Sequence, residues 1–164
     1  MTNAKITTLP KQDIASLYCL IGEAVCMIQH LEGALSHSIT LKKDVKCPHT
    51  FAKDMADKFL KQNQRYTLGR AIQLASEKKL YTEPLFSELR AFLNKRNWLI
   101  HSFVSNNMDD MHTTPNRVQL FLRIKDISSK ARELQQAIEN DLIEFSESVG
   151  VDMSRVHAVM EQLY

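Results

Sequence analysis

From Glu83 to Ser105 apolar side chains return at helical spacing: Leu85, Phe86, Leu89, Phe92, Leu93, Leu99, Ile100, Phe103 and Val104. At about 100° per residue they fall on one stripe of an α-helix. Near the middle of that stripe, where a leucine belongs, stands Arg96. A guanidinium cannot shed its charge and needs partners once it is withdrawn from water. An arginine in an apolar stripe therefore marks either an internal ion pair or a site. His101 follows five positions later, in the run Arg96-Asn97-Trp98-Leu99-Ile100-His101.

The same periodicity predicts helices along most of the chain. Residues 1–9 read as a flexible tail and 10–164 as one domain, with Pro10 suited to a first helical turn. A long helix is expected over about Lys11 to Leu41. Its main apolar face holds Ile14, Leu17, Tyr18, Ile21, Val25, Ile28, Leu31 and Leu35. A second stripe mixes Cys19, Cys26 and Met27 with Glu23, His30 and His37, so neighbours are expected on more than one side. After a polar connector over Lys42 to His49, helices are predicted over about Thr50 to Gln64 and, capped by Thr67, through Ser76. The motif helix runs from about Glu83 to Val104, and Ser105 to Asn116 reads as a loop directly after it. Val118, Leu120, Leu122 and Ile124 then alternate with Gln119, Phe121 and Arg123. That period suits a short extended segment over 118–124 and equally the opening of the next helix. A helical pattern resumes from Asp126 to Val149, Gly150 stops it, and Asp152 can cap a last short helix to Leu163. The fold class is all-α: a single up-and-down-like bundle of five or six helices.

Composition adds bounds. A chain of 164 residues can bury one sizeable core, and its four glycines and four prolines leave few helix breaks. A net charge of +2 does not by itself announce a nucleic-acid binder. Its distribution is uneven: Lys42 to Lys79 holds ten Lys or Arg against four acids, and Glu133 to Asp152 holds six acids and no Lys or Arg. A basic lobe can face phosphates; a solvated face is the plainer account. Cys19, Cys26 and Cys47 form no C-x-x-C pair and read as reduced interior thiols. No secretory signal is seen, and the apolar stretch Leu17 to Ile28 is interrupted by Gly22 and Glu23 and too short to cross a bilayer. A cytoplasmic protein without a membrane partner is expected. No zinc signature, glycine-rich phosphate loop or G-x-S-x-G elbow occurs, so no metal or other cofactor is expected.

Arg-Asn-x-x-x-His on a helix near the middle of a small all-α chain resembles the hallmark of the HEPN superfamily, with Arg96, Asn97 and His101 matching position by position. The resemblance covers this six-residue run and the helical layout around it. It implies a metal-independent ribonuclease of toxin–antitoxin or antiviral-defence systems, dimeric, with both motifs at the interface. His101 would then act as general base or acid toward the ribose 2′-hydroxyl or the leaving oxygen, since imidazole titrates near neutral pH. Arg96 would hold the scissile phosphate, and Asn97 would orient the ring. RNA is the implied partner, together with a second copy and an antitoxin or regulatory protein. One HEPN branch, neutralised by a nucleotidyltransferase partner, carries a tyrosine two residues after the histidine, where it is modified. Phe103 stands there in this chain and has no hydroxyl, which argues against that route.

In a straight helix Arg96 and His101 point about 140° apart. A long arginine, a local break in the helix or a twofold mate would reconcile them, and the dimer is the simplest of the three. Arg90, Lys95 and Trp98 are candidate RNA contacts beside the motif, the indole by stacking on a base or, more plainly, buried against a neighbour. Glu23 is the candidate counter-charge, positioning Arg96 or His101 or simply neutralising Arg96. Glu23, His30 and His37 recur every seven residues, about 10 Å apart along the axis, too far to share one metal ion. The alternative function is a non-catalytic helical module that binds a nucleotide, a nucleic acid or a protein.

Overall fold

The computed structural model describes residues 11–163, so the tail and the helix start expected over residues 1–10 lie outside the described residues. The chain is an all-α bundle: α1 (Lys11–Ile39), α2 (Lys53–Asn63), α3 (Leu68–Glu77), α4 (Glu83–Asn97), α5 (Phe103–Asn107), α6 (Thr114–Ser148) and α7 (Ser154–Leu163). A π turn over Trp98–Ser102 joins α4 to α5 without a break, and a second π turn over Thr40–Val45 prolongs α1.

Two long helices form the frame. Asp13 pairs with Arg117 at 3.2 Å and Arg132 reaches the Met27 sulfur at 3.7 Å, so α1 and α6 run side by side in the same direction. The intervening chain must therefore return to the starting end, and α4 does so. It descends antiparallel to α6, with Glu88 against Lys130 at 2.7 Å and Lys95 against Asp126 at 2.5 Å. Leu31, Leu35 and Ile39 of α1, Leu89 and Phe92 of α4, and Ile124, Leu134 and Ile138 of α6 make the fully buried centre. The predicted ends hold well elsewhere. Thr67 caps α3 by accepting from the Arg70 amide at 3.3 Å. Gly150 terminates α6 at φ +84°, where a side chain would be strained. Asp152 accepts from the Ser154 amide at 2.9 Å and opens α7.

The π turn that ends α1 is closed on itself. The buried Asn63 amide donates to Thr40 Oγ1 at 2.8 Å and to Asp44 Oδ2 at 3.0 Å. Lys42 Nζ lies 2.6 Å from Asp141 and 2.5 Å from the Leu80 carbonyl oxygen, over the Tyr81 ring. Tyr81 in turn donates to Ser38 Oγ at 2.7 Å, and burial pushes its phenol well above the ordinary value.

Of the two readings left open over 118–124 the helix is the one found, and two other expectations are corrected. The alternation over 118–124 is part of α6: Leu120, Ile124 and Ile127 go inward at helical spacing, and Val118 and Leu122 face solvent. Ser105 to Asn116 is not a loop. It holds the end of α5, a 3₁₀ turn over Met108–His112 pinned by the buried Met111, and the start of α6. Polar composition misled here because Asn107 and Asp110 bond to each other, at 2.8 Å, rather than to water alone. All three cysteines are exposed. Cys19 and Cys26 lie on the outer side of α1, which no other described element covers, so apolar composition there does not mean burial. α1 with its π turn, 35 residues, is by length and composition long and apolar enough to cross a membrane. Its inner face nevertheless supplies Leu17, Ala24, Ile28, Leu31, Leu35 and Ile39 to the core.

Candidate functional site

Arg96 sits one residue before the end of α4, on the side turned to α1, with its side chain 20% exposed. Its Nη1 lies 3.3 Å from His101 Nε2 and 3.4 Å from Asn97 Oδ1. Nη2 lies 3.7 Å from Glu32 Oε1 of α1. His101 and Asn97 are both exposed. The π turn explains how residues five apart meet. Hydrogen bonding from i to i+5 makes the fifth residue occupy the place over the first that the fourth holds in an α-helix. The local break in the helix thus joins the pair within one chain, and a twofold mate is not needed for that contact.

The guanidinium is held but not saturated. At 3.7 Å the Glu32 contact is a charge contact rather than a hydrogen bond. Glu32 Oε1 and Arg96 Nε are both buried without a hydrogen-bond partner. Unmet donors and acceptors of this kind favour exchange for a better ligand. Because the guanidinium can only donate, the His101 Nε2 facing it accepts, and a neutral ring then carries its proton on Nδ1. The arrangement offers a planar cation and a basic ring nitrogen at one solvent-facing spot. An anion such as a phosphate can bridge onto the cation while the ring takes or gives a proton.

The counter-charge is Glu32, not Glu23. Nine residues separate the two, which turns Glu23 about 180° away to the exposed side of α1. The position follows from the path of α4. It begins beside the C-terminal end of α1, where Leu80 and Tyr81 bond to Lys42 and Ser38, and Arg96 meets α1 at Glu32. The signal in the sequence was an acid bordering the buried Ile28, Leu31 and Leu35, at the margin of the face the chain hides. Asn97 contacts Arg96 rather than the His101 ring.

Three proposed RNA contacts are engaged elsewhere in the chain. Lys95 is paired with Asp126, and Arg90 reaches Ser76 Oγ at 3.0 Å and Glu83 at 3.7 Å. Trp98 is half-buried: its Nε1 donates to Asn107 at 2.9 Å, its ring meets Phe103 edge-on, and the Arg123 guanidinium stacks 3.5 Å from its centre. Two residues from Arg96, it points to the opposite side of the helix, about 200° around. His30 and His37 are exposed, and His37 Nδ1 lies 2.8 Å from its own helix at the Gly33 carbonyl oxygen. Among the described residues no three His, Cys, Asp or Glu side chains converge as a metal would require.

Comparison with family models, curated proteins and solved structures finds no match for this chain.

Proposed function

We propose that this protein is a metal-independent endoribonuclease of HEPN type, cytoplasmic and acting as a homodimer in a toxin or antiviral-defence setting. One observation carries the reading: Arg96 and His101 meet at 3.3 Å across a π turn, on a surface open to solvent. A purely structural arginine would be expected to close its hydrogen bonds, and Arg96 Nε does not.

In the proposed reaction the scissile phosphate takes Arg96 Nη1 and Nη2, displacing the weak contact to Glu32. His101 Nε2 accepts the proton of the ribose 2′-hydroxyl. The freed oxygen attacks phosphorus, the bond to the 5′-oxygen breaks, and that oxygen leaves with a proton from an acid. The products are a 2′,3′-cyclic phosphate and a 5′-hydroxyl. Arg96 stabilises the charge that builds on the phosphorane oxygens, and Asn97 and Glu32 position the guanidinium. The second copy supplies the acid: its own His101, brought to the same cleft by a twofold axis along the motif helix. The monomer is accordingly inactive. An antitoxin or regulatory protein would act by covering this cleft or by blocking the dimer.

The test is cleavage of total RNA and of one structured RNA in EDTA by the wild type and by His101→Ala. Cleavage by the wild type alone, leaving cyclic-phosphate ends, with RNA binding retained in the variant, supports the enzyme. Equal cleavage by both removes His101 from the reaction. The competing reading, a binding module, is favoured by the same unmet donors of Arg96, which can hold an RNA phosphate with no proton transfer to follow. It predicts no cleavage by either protein and loss of RNA binding in Arg96→Met.

A further inference from the structure

The acidic segment Glu133 to Asp152 takes no part in the reaction proposed above and holds six acids with no Lys or Arg. In the fold it edges a concave apolar surface at the C-terminal ends of α1 and α6. A cavity of about 380 Å³ opens between the π turn at Thr40–Val45, Phe51, Leu60 of α2 and Leu142 of α6. Another of about 300 Å³ lies between α6 and α7, on Leu142, Ile143, Met153 and Met160. Leu41 and Leu142 line both, so apolar surface runs on from Phe51 to Met160. α7 does not close it, since none of residues 154–162 is buried.

Glu139 lines the second cavity, and Glu144, Glu147 and Glu161 stand around an adjoining hollow that shares Ile143 and Met160 with it, while Lys53 and Asp57 offset each other at the first. Glu147 is matched by His157 at 2.7 Å. Glu139, Glu144 and Glu161 have no cationic partner among the described residues, although neighbouring Asp141 is paired with Lys42. An apolar floor beside uncompensated acids is the complement of a helix whose apolar face is flanked by Lys or Arg. Methionines on the floor let it repack around unlike side chains. Nucleic acid is repelled by the same acids. The exposed helix of this chain, α7, carries Arg155 against Glu161 and so lacks a cationic flank.

We propose that this groove docks a basic amphipathic helix of a partner protein, an inference independent of the ribonuclease reading. The probe is a fluorescein-labelled peptide of about 18 residues, five helical turns, with leucines on one face and lysines on the other. Its control carries glutamates in place of the lysines. Anisotropy with the full chain is expected to show saturable one-to-one binding of the lysine peptide that weakens with salt, and none of the glutamate peptide. Glu139→Lys with Glu144→Lys, and separately Val156→Lys on the exposed wall, should each weaken binding by about tenfold or more. These surface changes spare the core, and circular dichroism checks each fold. Equal binding of both peptides, binding of neither, or affinity unmoved by the variants overturns the proposal. So does concentration-dependent dimerisation of the free protein that Val156→Lys abolishes, which would assign the groove to a second copy.

Discussion

The chain uses the π turn twice and to different ends. Over Thr40–Val45 the extra residue is surrounded, and the side chains it aims inward all find partners. Asn63 bridges Thr40 and Asp44, and Lys42 is shared between Asp141 and the Leu80 carbonyl. Over Trp98–Ser102 the same device leaves Arg96 with a 3.7 Å charge contact, a buried Nε without an acceptor, and two exposed polar neighbours. A π turn stores an irregularity that α-helical bonding would remove. Where the polar groups are consumed locally, it is architecture. Where they are left short of partners, a guanidinium and an imidazole face each other at the surface.

The largest separation between the two turns is expected from two single substitutions. His101→Ala should lower RNA cleavage by about 10²–10⁴-fold, the range of a lost general acid or base. Its thermal midpoint should stay close to the wild type's, because the ring is exposed. Asn63→Ala should do the reverse. It removes the donor to buried Thr40 Oγ1 and to Asp44 Oδ2, leaving them the Ser36 carbonyl and Lys43, and should cost about 1–3 kcal/mol of stability. Cleavage by the fraction that remains folded should be unchanged. Chemical denaturation and a cleavage assay on both variants read the contrast directly. If His101→Ala destabilises as much as Asn63→Ala and cleavage is unmoved, the second turn is architecture too.

A smaller effect probes the turn itself. Removing the exposed Ile100 takes one residue out of the π turn and restores α-helical spacing. His101 would then stand four places after Arg96, still one turn above it. Cleavage is expected to stay within about tenfold of the wild type, with Phe103 keeping its buried place downstream. A loss as deep as that of His101→Ala would mean that the turn sets the angle between ring and guanidinium, not only their register.

How much of this was legible in the sequence follows from what each feature depends on. The stripe over 83–105 singled out Arg96 and His101, which the fold brings to 3.3 Å of each other, because periodicity is local and an arginine inside it is conspicuous. The π turn left no mark: an i→i+5 bond is an insertion relative to α-helical packing, decided by how α4 and α5 each meet the core. Glu32 was missed because the partner of Arg96 depends on where α4 begins beside α1, three elements apart in the chain. Cys19 and Cys26 are exposed, although apolarity suggested burial, because they share the outer face of α1 with Glu23, His30 and His37. Over 118–124 the alternation left strand and helix open, and burial decides for the helix, with Leu120 and Ile124 inward and Val118 and Leu122 outward.

The finest distinction is a pH signature that only the closed turn should carry. Tyr81, beside Lys42 and bonded to Ser38, has its phenol raised above the ordinary 10.0, first by burial, with Asp141 adding to it. The group is neutral when protonated, so its folded form resists losing that proton more than its unfolded form does. Its contribution is therefore complete below pH 10.0 and declines as pH climbs from there toward the folded value. Tyr81→Phe should lose about 1 kcal/mol at neutral pH with the Ser38 bond, and should flatten the alkaline fall of stability above pH 10. His101→Ala should leave that alkaline arm as it is. Urea titrations at stepped pH compare the two. An alkaline arm unchanged by Tyr81→Phe would show that the closed turn does not shelter this phenol, and would weaken the contrast from its structural side.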